Sequence, residues 1–286
     1  MSTTGDFLEN QNQNPATSSE LESGLAVVQS NKAEELRRLV VEHMRRHPLA
    51  PLEEETILVQ STGTARWLQL ALAVDADDEN APGMGISAST DFLLPARFFW
   101  DAYRIVLGDA ALPEVSPFDT DRLRWRILSL LPGLVEGTGY EPLAAYLAHD
   151  SANPRRRWQL ACALADLYEQ YQFYRADWLM SWENGADTVA DAHGNSQDID
   201  ERQRWQPALW RAILESMPES RCQQSRAHLH HRFLAALESA EAEGRDLTGL
   251  PRRLVVFGIS SLPMQMVEGL AALAHHCQVL VCLHNP

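Results

Sequence analysis

Four short apolar segments at the two ends of the chain constrain its fold more than any other feature. Segments 25–29, 56–60 and 253–257 are each followed at once by a turn and a helical pattern, and a fourth segment lies at 277–283. Strands that alternate with helices are typical of a mostly parallel sheet with helices on its faces. The sequence therefore predicts an α/β domain.

The chain between these segments has a helical pattern throughout. Apolar residues recur at three-and-four spacing in six segments, namely 96–108, 119–131, 140–149, 155–175, 204–217 and 226–243. We therefore expect four regions: a disordered tail at 1–22, the first part of the α/β domain at 23–95, a helical insertion at 96–249, and the continued α/β domain at 250–286. Because the chain ends directly after a predicted strand, we expect the sheet to be truncated.

The net charge of −15 is concentrated in three polar stretches. Residues 1–24, 75–79 and 183–201 together carry −14, which leaves the rest of the chain close to neutral. An acidic chain argues against nucleic-acid binding, but here the acidity is predicted to lie in a tail and two solvent-exposed loops. The charge alone therefore does not decide the class of ligand.

The composition and the N-terminal sequence argue against a membrane-spanning or secreted protein. No apolar run approaches the roughly 18 to 20 residues that a membrane span needs, and the N-terminus lacks the order of a signal peptide. Cys162, Cys222, Cys277 and Cys282 show no C-x-x-C spacing, which fits a reducing compartment. We expect a soluble, cytoplasmic protein without membrane contact.

The positions where an ATPase carries its motifs lack the required residues. A P-loop needs G-x-x-x-x-G-K-[ST], but the turn at 29–33 has no glycine and no hydroxyl residue after Lys32. The strand at 253–257 is followed by Gly258, without the acidic residues that hold Mg²⁺. The sequence therefore predicts that this chain binds no ATP or other cofactor.

Other catalytic and metal sites are not predicted either. Segment 258–262 lacks the second glycine of a nucleophile elbow. The residues at 275–277, with Cys282 and His284, fall on a helix end and alternate strand faces, so we expect no metal there. His228, His230 and His231 lack the H-E-x-x-H arrangement, and we expect them to lie on the surface.

Arginine and aromatic residues are interleaved in the helical region, at 122–126, 155–158, 168–175 and 202–205. Lys32 is the only lysine among 24 basic residues. Aromatic planes with guanidinium groups suit unstacked single-stranded bases. The same pattern also fits core aromatics with arginine side chains at their rim, and the residues alone leave both interpretations open.

Five blocks are specific enough to indicate a family: 57–69, 91–100, 165–178, 205–210 and 257–263. In these blocks the chain resembles the N-terminal part of RecC, the gamma subunit of exodeoxyribonuclease V (the RecBCD helicase–nuclease). The likeness extends over about residues 25–286 and covers roughly the first quarter of a typical member.

The resemblance implies a P-loop NTPase-like, superfamily 1 helicase-like α/β domain that has lost its ATPase motifs. It implies a non-catalytic subunit in double-strand break repair, which holds RecB-like and RecD-like partners in a heterotrimer. Those partners would use ATP and Mg²⁺. The subunit would contact forked double-stranded DNA and pass one single strand through a tunnel where the Chi sequence is read.

The resemblance also implies Chi-reading residues, carried over one position at a time. They are Leu94, Trp100, Asp166, Leu167, Gln170, Arg175 and Arg226, with Glu169 where an aspartate is more familiar. Carboxylates accept from cytosine, Gln suits adenine, Arg suits guanine, and Trp stacks on bases. The longer Glu169 leaves the recognised Chi sequence open.

A further candidate is the turn at 61–64, which precedes a predicted helix. The equivalent turn of active helicases contacts DNA phosphates, so Thr62, Gly63 and Thr64 are candidate phosphate contacts; a plain tight turn fits equally well. Two alternatives to the RecC-like function stay open: a helical adaptor between proteins without DNA contact, and an active ATPase with an unusual nucleotide site.

Overall fold

Five parallel strands form the main sheet, in the order β1-β7-β6-β2-β3, and a separate hairpin pairs β4 with β5. The strands are β1 (Gly24–Ser30), β2 (Glu55–Val59), β3 (Thr90–Leu93), β4 (Thr188–Ala190), β5 (Ser196–Asp198), β6 (Arg253–Phe257) and β7 (Gln278–His284). The computed structural model describes residues 21–78, 82–108, 112–113, 116–148, 154–191 and 193–285. The expected disordered tail at 1–22 lies outside the described residues except for its last two.

The helices are α1 (Ala33–Arg46), α2 (Thr62–Leu72), α3 (Pro95–Leu107), α4 (Thr120–Leu134), α5 (Glu141–Leu147), α6 (Pro154–Tyr174), α7 (Ala176–Glu183), α8 (Trp205–Glu215), α9 (Glu219–Cys222), α10 (Arg226–Glu243) and α11 (Met264–Leu273). The six helices predicted between 96 and 243 are confirmed, with ends that differ by a few residues. None of the described helices is long and apolar enough to cross a membrane.

Contacts divide the chain into two compact units. The α/β unit contains the residues up to 94, with 251–260 and 277–286, and the helical unit contains 95–250 and 261–276. The sequence boundaries placed all of 250–286 in the α/β domain, whereas α11 groups with the helical unit. Gly269 allows α11 to pack closely on α3 of the helical unit, because a Cβ at that position would lie 2.4 Å from the ring of Phe99.

The α/β unit confirms the predicted parallel sheet. Strand β6 is buried along its whole length, as expected for a central strand covered on both faces. On one face α1 and α2 pack against the sheet, with Leu36, Val40, Leu68 and Leu72 in contact with the side chains of β2, β6 and β7. Strand β3 was not predicted, because it is a four-residue edge strand that contains no buried apolar run.

A fully buried arginine fixes the amino-terminal ends of the central strands. Arg253 begins β6, and its side chain has no solvent exposure. Its guanidinium donates to the Glu55 carboxylate of β2, at 3.0 Å from Nε, and to the His47 carbonyl oxygen at 2.8 Å. Because both partners are present, this buried charge is compensated.

The helical unit has its own aromatic core. Tyr168, Trp182 and Trp210 are fully buried, and the Tyr168 ring stacks on Trp210 at 5.4 Å between centroids. The Tyr168 hydroxyl donates to the Gln206 carbonyl oxygen at 2.7 Å, so its one polar atom is satisfied. This core holds α6 and α8 together.

The prediction of a solvent-exposed loop over 183–201 is wrong in part. The segment contains the β4–β5 hairpin and a 3-10 turn at 201–203. Asp187 forms an ion pair with Arg211 at 2.8 Å, and the Trp182 indole donates to the Thr188 carbonyl oxygen at 2.8 Å. Acidic residues that looked like loop residues therefore serve partly as structural partners of α7 and α8.

Candidate nucleic-acid interface

Helix α6 carries four of the predicted base-reading residues within about one turn. Asp166 and Gln170 are exposed, while Leu167 and Glu169 are half-buried. Spacings of three and four residues place Asp166, Glu169 and Gln170 next to one another on the helix surface. The opposite side of α6 is held in the core by Tyr168.

Asp166 already has a protein partner. Its carboxylate accepts from the Arg124 guanidinium of α4 at 3.0 Å, and Arg124 also contacts Asp121 at 2.8 Å. The hydrogen bond to Asp166 raises the pKa of Arg124. An ion pair at this exposed position is weak, so its oxygens can exchange partners at little cost.

Arg175 lies just after the C-terminus of α6, where the backbone leaves the helical conformation. Its guanidinium lies 4.0 Å from the centroid of the Trp178 ring. Nε and Nη2 donate to the two Asp177 carboxylate oxygens at 3.1 and 2.8 Å, and Nη2 also donates to the Ala190 carbonyl oxygen. These contacts fix the plane of the guanidinium and occupy its Nε and Nη2 donors, so the N–H groups of Nη1 are the ones that can meet a ligand without breaking them.

Trp100 of α3 and Arg226 of α10 line the same small pocket, of about 20 Å³. The Arg226 guanidinium lies 4.0 Å from the centroid of the Phe173 ring. Burial lowers the pKa of Arg226, and the carboxylates of Glu169 and Asp119 act in the opposite direction. Arg226 remains a cation, since guanidinium groups do not lose their proton in proteins.

A larger cavity of about 610 Å³ has Arg175 among its lining residues. Its other polar side chains include Asp177, Gln265 and Glu268. Gln265 also lines the pocket of Trp100 and Arg226, so the two hollows adjoin. Sequence analysis missed Gln265, because no pattern distinguishes it from an ordinary polar residue at the start of α11.

His230 is buried, so the prediction that it lies on the surface is wrong. The side chain is within hydrogen-bond distance of the Tyr103 hydroxyl at 3.1 Å and of the Glu268 carboxylate at 3.3 Å. Burial lowers the pKa of His230, although the contact with Glu268 opposes this shift. Helical periodicity could have found it, because His230 follows Ala227 and precedes Phe233 on the buried side of α10.

The structure therefore places seven of the eight predicted base-reading residues in the helical unit: Trp100, Asp166, Leu167, Glu169, Gln170, Arg175 and Arg226. It brings Trp100 and Arg226 into one pocket. Leu94 belongs to the α/β unit, where it follows β3 and is 46% exposed.

The candidate phosphate contacts lie at the N-terminus of α2. Ser61 accepts the backbone N–H of Thr64 at 3.1 Å, so the helix supplies its own cap there. Gly63 and Thr64 line a cavity of about 470 Å³, together with Trp67 and Glu34. The Glu34 side chain brings negative charge to this cavity, which is unfavourable for a phosphate.

The β1–α1 turn, where a P-loop would lie, contains hydrogen bonds among its own exposed side chains. Lys32 Nζ lies 3.0 Å from the Glu35 carboxylate. Ser30 Oγ accepts the backbone N–H of Lys32 at 3.2 Å and donates to Glu35 at 2.9 Å. The hydrogen bonds from Lys32 and Ser30 lower the pKa of Glu35.

Metal ligands are not clustered in the described parts of the chain. Across those residues, no group of three or more His, Cys, Asp or Glu side chains is arranged to hold an ion.

Comparison with known proteins gives one consistent result. A family model described as RecC, N-terminal domain, matches residues 25–286. The chain is 37% identical over 264 residues to the RecBCD enzyme subunit RecC of Escherichia coli (strain K12), an overlap of 92% of this chain and 22% of that protein. It is 33% identical over 251 residues to the subunit of the same name from Haemophilus influenzae (84% and 21%). The Mycolicibacterium smegmatis subunit is 27% identical over 243 residues (82% and 19%). The chain thus spans about a fifth of the length of these relatives.

Proposed function

The chain belongs to the RecC family, and we propose that it forms the N-terminal part of a non-catalytic subunit of an exodeoxyribonuclease V. In this proposal the subunit takes part in double-strand break repair by homologous recombination. It assembles with RecB-like and RecD-like subunits, and it contacts single-stranded and forked double-stranded DNA. The names of the relatives, each a RecBCD enzyme subunit RecC, support this assignment.

The role proposed for the helical unit is recognition of the Chi sequence in single-stranded DNA. The observation that carries it is the cavity of about 610 Å³ lined by Arg175, which is large enough for a base and adjoins the small hollow of Trp100 and Arg226. The plane of the Arg175 guanidinium is fixed by Asp177 and Trp178. Stacking on an aromatic ring and donation from a guanidinium to guanine are interactions that read unstacked bases.

The role proposed for the α/β unit is that of a helicase-like scaffold without ATPase activity, interrupted in sequence by the helical insertion. Its parallel sheet supports the likeness to a helicase domain. The Lys32–Glu35 ion pair in the β1–α1 turn supports the absence of nucleotide binding. In this proposal ATP and Mg²⁺ belong to the partner subunits.

The test is an Arg175→Ala variant in the assembled complex. We expect it to reduce the Chi-dependent switch in nuclease activity by about 5- to 150-fold while unwinding stays within about twofold, because loss of a direct base contact costs about 1–3 kcal/mol of discrimination. Nuclease products on Chi-containing and Chi-free duplexes provide the measurement. Arg232→Ala, at an exposed position of α10, is the matched control.

Equal loss of unwinding and of Chi response in Arg175→Ala would indicate that Arg175 serves the fold only. Unchanged Chi response would remove the base-reading role and favour a helical adaptor without DNA contact.

A further inference from the structure

The cavity of about 610 Å³ contains a carboxylate that the family resemblance does not indicate. Glu268 of α11 lines this cavity together with Arg175. Tyr174 and Met264 line it as well, and they are 63% and 64% exposed. A cavity of this volume lies within the range that holds small organic ligands. An exposed ring and an exposed thioether beside a cation and a carboxylate suit a flat ligand with polar edges.

A chain of hydrogen bonds across three helices holds the Glu268 side chain. Nε2 of His230 on α10 lies 3.3 Å from Glu268 Oε2, and Nδ1 of His230 lies 3.1 Å from the Tyr103 hydroxyl of α3. Burial lowers the pKa of His230, which favours the neutral imidazole near pH 7. Because a carboxylate only accepts hydrogen bonds, Nε2 carries the proton and Nδ1 accepts from Tyr103. The Glu268 carboxylate is therefore held through one of its two oxygens.

The second oxygen of Glu268 has acceptor capacity left. Oε1 accepts no hydrogen bond from the residues that the structure describes, whereas Oε2 contacts His230. Asp177 and Asp191 also line the cavity, but each accepts with both oxygens. The donors are Arg175 for Asp177, and the backbone and side chain of Asn195 for Asp191. Among the described residues of the cavity, Glu268 is thus the carboxylate best able to accept from a ligand.

The donors that remain in the cavity belong to Nη1 of Arg175, because Nε and Nη2 are occupied. A ligand in the cavity therefore meets two N–H donors and one carboxylate. Guanine matches this set, since O6 and N7 accept on one edge while N1–H and the N2 amino group donate on the next. Adenine and cytosine present a single amino group to a carboxylate, and thymine presents a single imide N–H.

We propose that this cavity binds an unstacked guanine of the single strand, and that Glu268 is a further base-reading residue beside Arg175. The N1–H and N2 amino groups of the base donate to the Glu268 carboxylate. Nη1 of Arg175 donates to O6 and N7, and the base lies against Tyr174 and Met264. This assignment rests on the proposed reading of single-stranded DNA by the helical unit.

The test compares short oligothymidine strands that carry one central guanine or one central hypoxanthine. Hypoxanthine lacks the N2 amino group but keeps O6 and N7, so it removes only a contact proposed for Glu268. Affinities for the full chain are measured by competition with a fluorescein-labelled strand, using anisotropy. We expect the wild type to prefer guanine about 5- to 150-fold, the equivalent of about 1–3 kcal/mol. Glu268→Ala should abolish this preference.

Glu238→Ala is the matched control, because it removes a carboxylate at an exposed position of α10; it should keep the preference for guanine. A preference that persists in Glu268→Ala would overturn the role of Glu268. Tighter binding of a strand with one central cytosine or adenine to the wild type would overturn guanine as the ligand.

Two further outcomes separate this inference from the proposed function. Equal binding of the guanine and hypoxanthine strands by the wild type, with weaker binding of both in Arg175→Ala, would overturn the inference and leave the proposed function intact. No binding of any strand to the wild-type chain would count against both.

Discussion

The carboxyl edge of the parallel sheet and the surface of α6 and α10 use polar residues in different ways. At the sheet edge, Lys32 is paired with Glu35 within a single turn. In the helical unit, Arg226 and Arg175 are held against aromatic rings and line two adjoining hollows. Both arrangements pair charges within the protein, since Arg175 contacts Asp177, but the second also holds its guanidinium groups against aromatic rings at the walls of the two hollows. The proposed ligand recognition therefore belongs to the helical unit of this chain.

The largest expected effect is a loss of folding stability when a buried arginine of the α/β unit is replaced. Arg253→Met removes the buried partner of Glu55. We expect the free energy of unfolding to fall by about 3–5 kcal/mol, because an uncompensated carboxylate remains in a largely buried position. Urea titration monitored by circular dichroism provides the measurement.

Arg252→Met is the matched control, since Arg252 is about half exposed and lies 3.5 Å from Glu53. We expect it to cost less than about 1 kcal/mol. Equal effects of the two substitutions would contradict a structural role specific to Arg253.

A smaller effect is expected on the pH dependence of folding stability, through His230 of the helical unit. Burial lowers the pKa of His230 below its ordinary value of 6.5, so the folded protein binds this proton less readily than the unfolded chain. The unfolded state therefore gains protons first as the pH falls below about 7, and folding stability decreases from there toward the lower folded pKa. Urea titrations at pH 7.5 and 5.5 should show the decrease in the wild type.

His230→Gln lacks the titrating group, and its stability should change less between these two pH values. A variant with the same pH dependence as the wild type would assign the effect to other groups.

Features that depend on neighbouring residues in the sequence can be predicted from it, whereas features that depend on contacts between distant residues cannot. Local periodicity predicted the central strands and the six helices. It missed β3, whose Thr-Asp-Phe-Leu sequence forms a strand only because it pairs with β2. It also missed the β4–β5 hairpin, next to which Asp187 forms an ion pair with the distant Arg211 of α8.

The candidate site shows the same difference between local and long-range information. The family resemblance indicates Trp100 and Arg226 one at a time, but no sequence pattern indicates that residues of α3 and α10 line one pocket. Gln265 lines both hollows from α11, which packs closely on α3 at Gly269. His230 carried a local signal, its helical phase in α10, which outweighs the general preference of histidine for partly exposed positions.

The most direct test of the central comparison is photocrosslinking of the assembled complex with two probes, followed by peptide mapping. One probe is single-stranded DNA that carries 5-iododeoxyuridine, and the other is azido-ATP with Mg²⁺. We predict DNA crosslinks to peptides of this chain that contain Trp100 or the end of α6, and nucleotide crosslinks only to the partner subunits. Azido-ATP attached to the β1–α1 turn, or DNA crosslinks absent from the helical unit, would contradict the account.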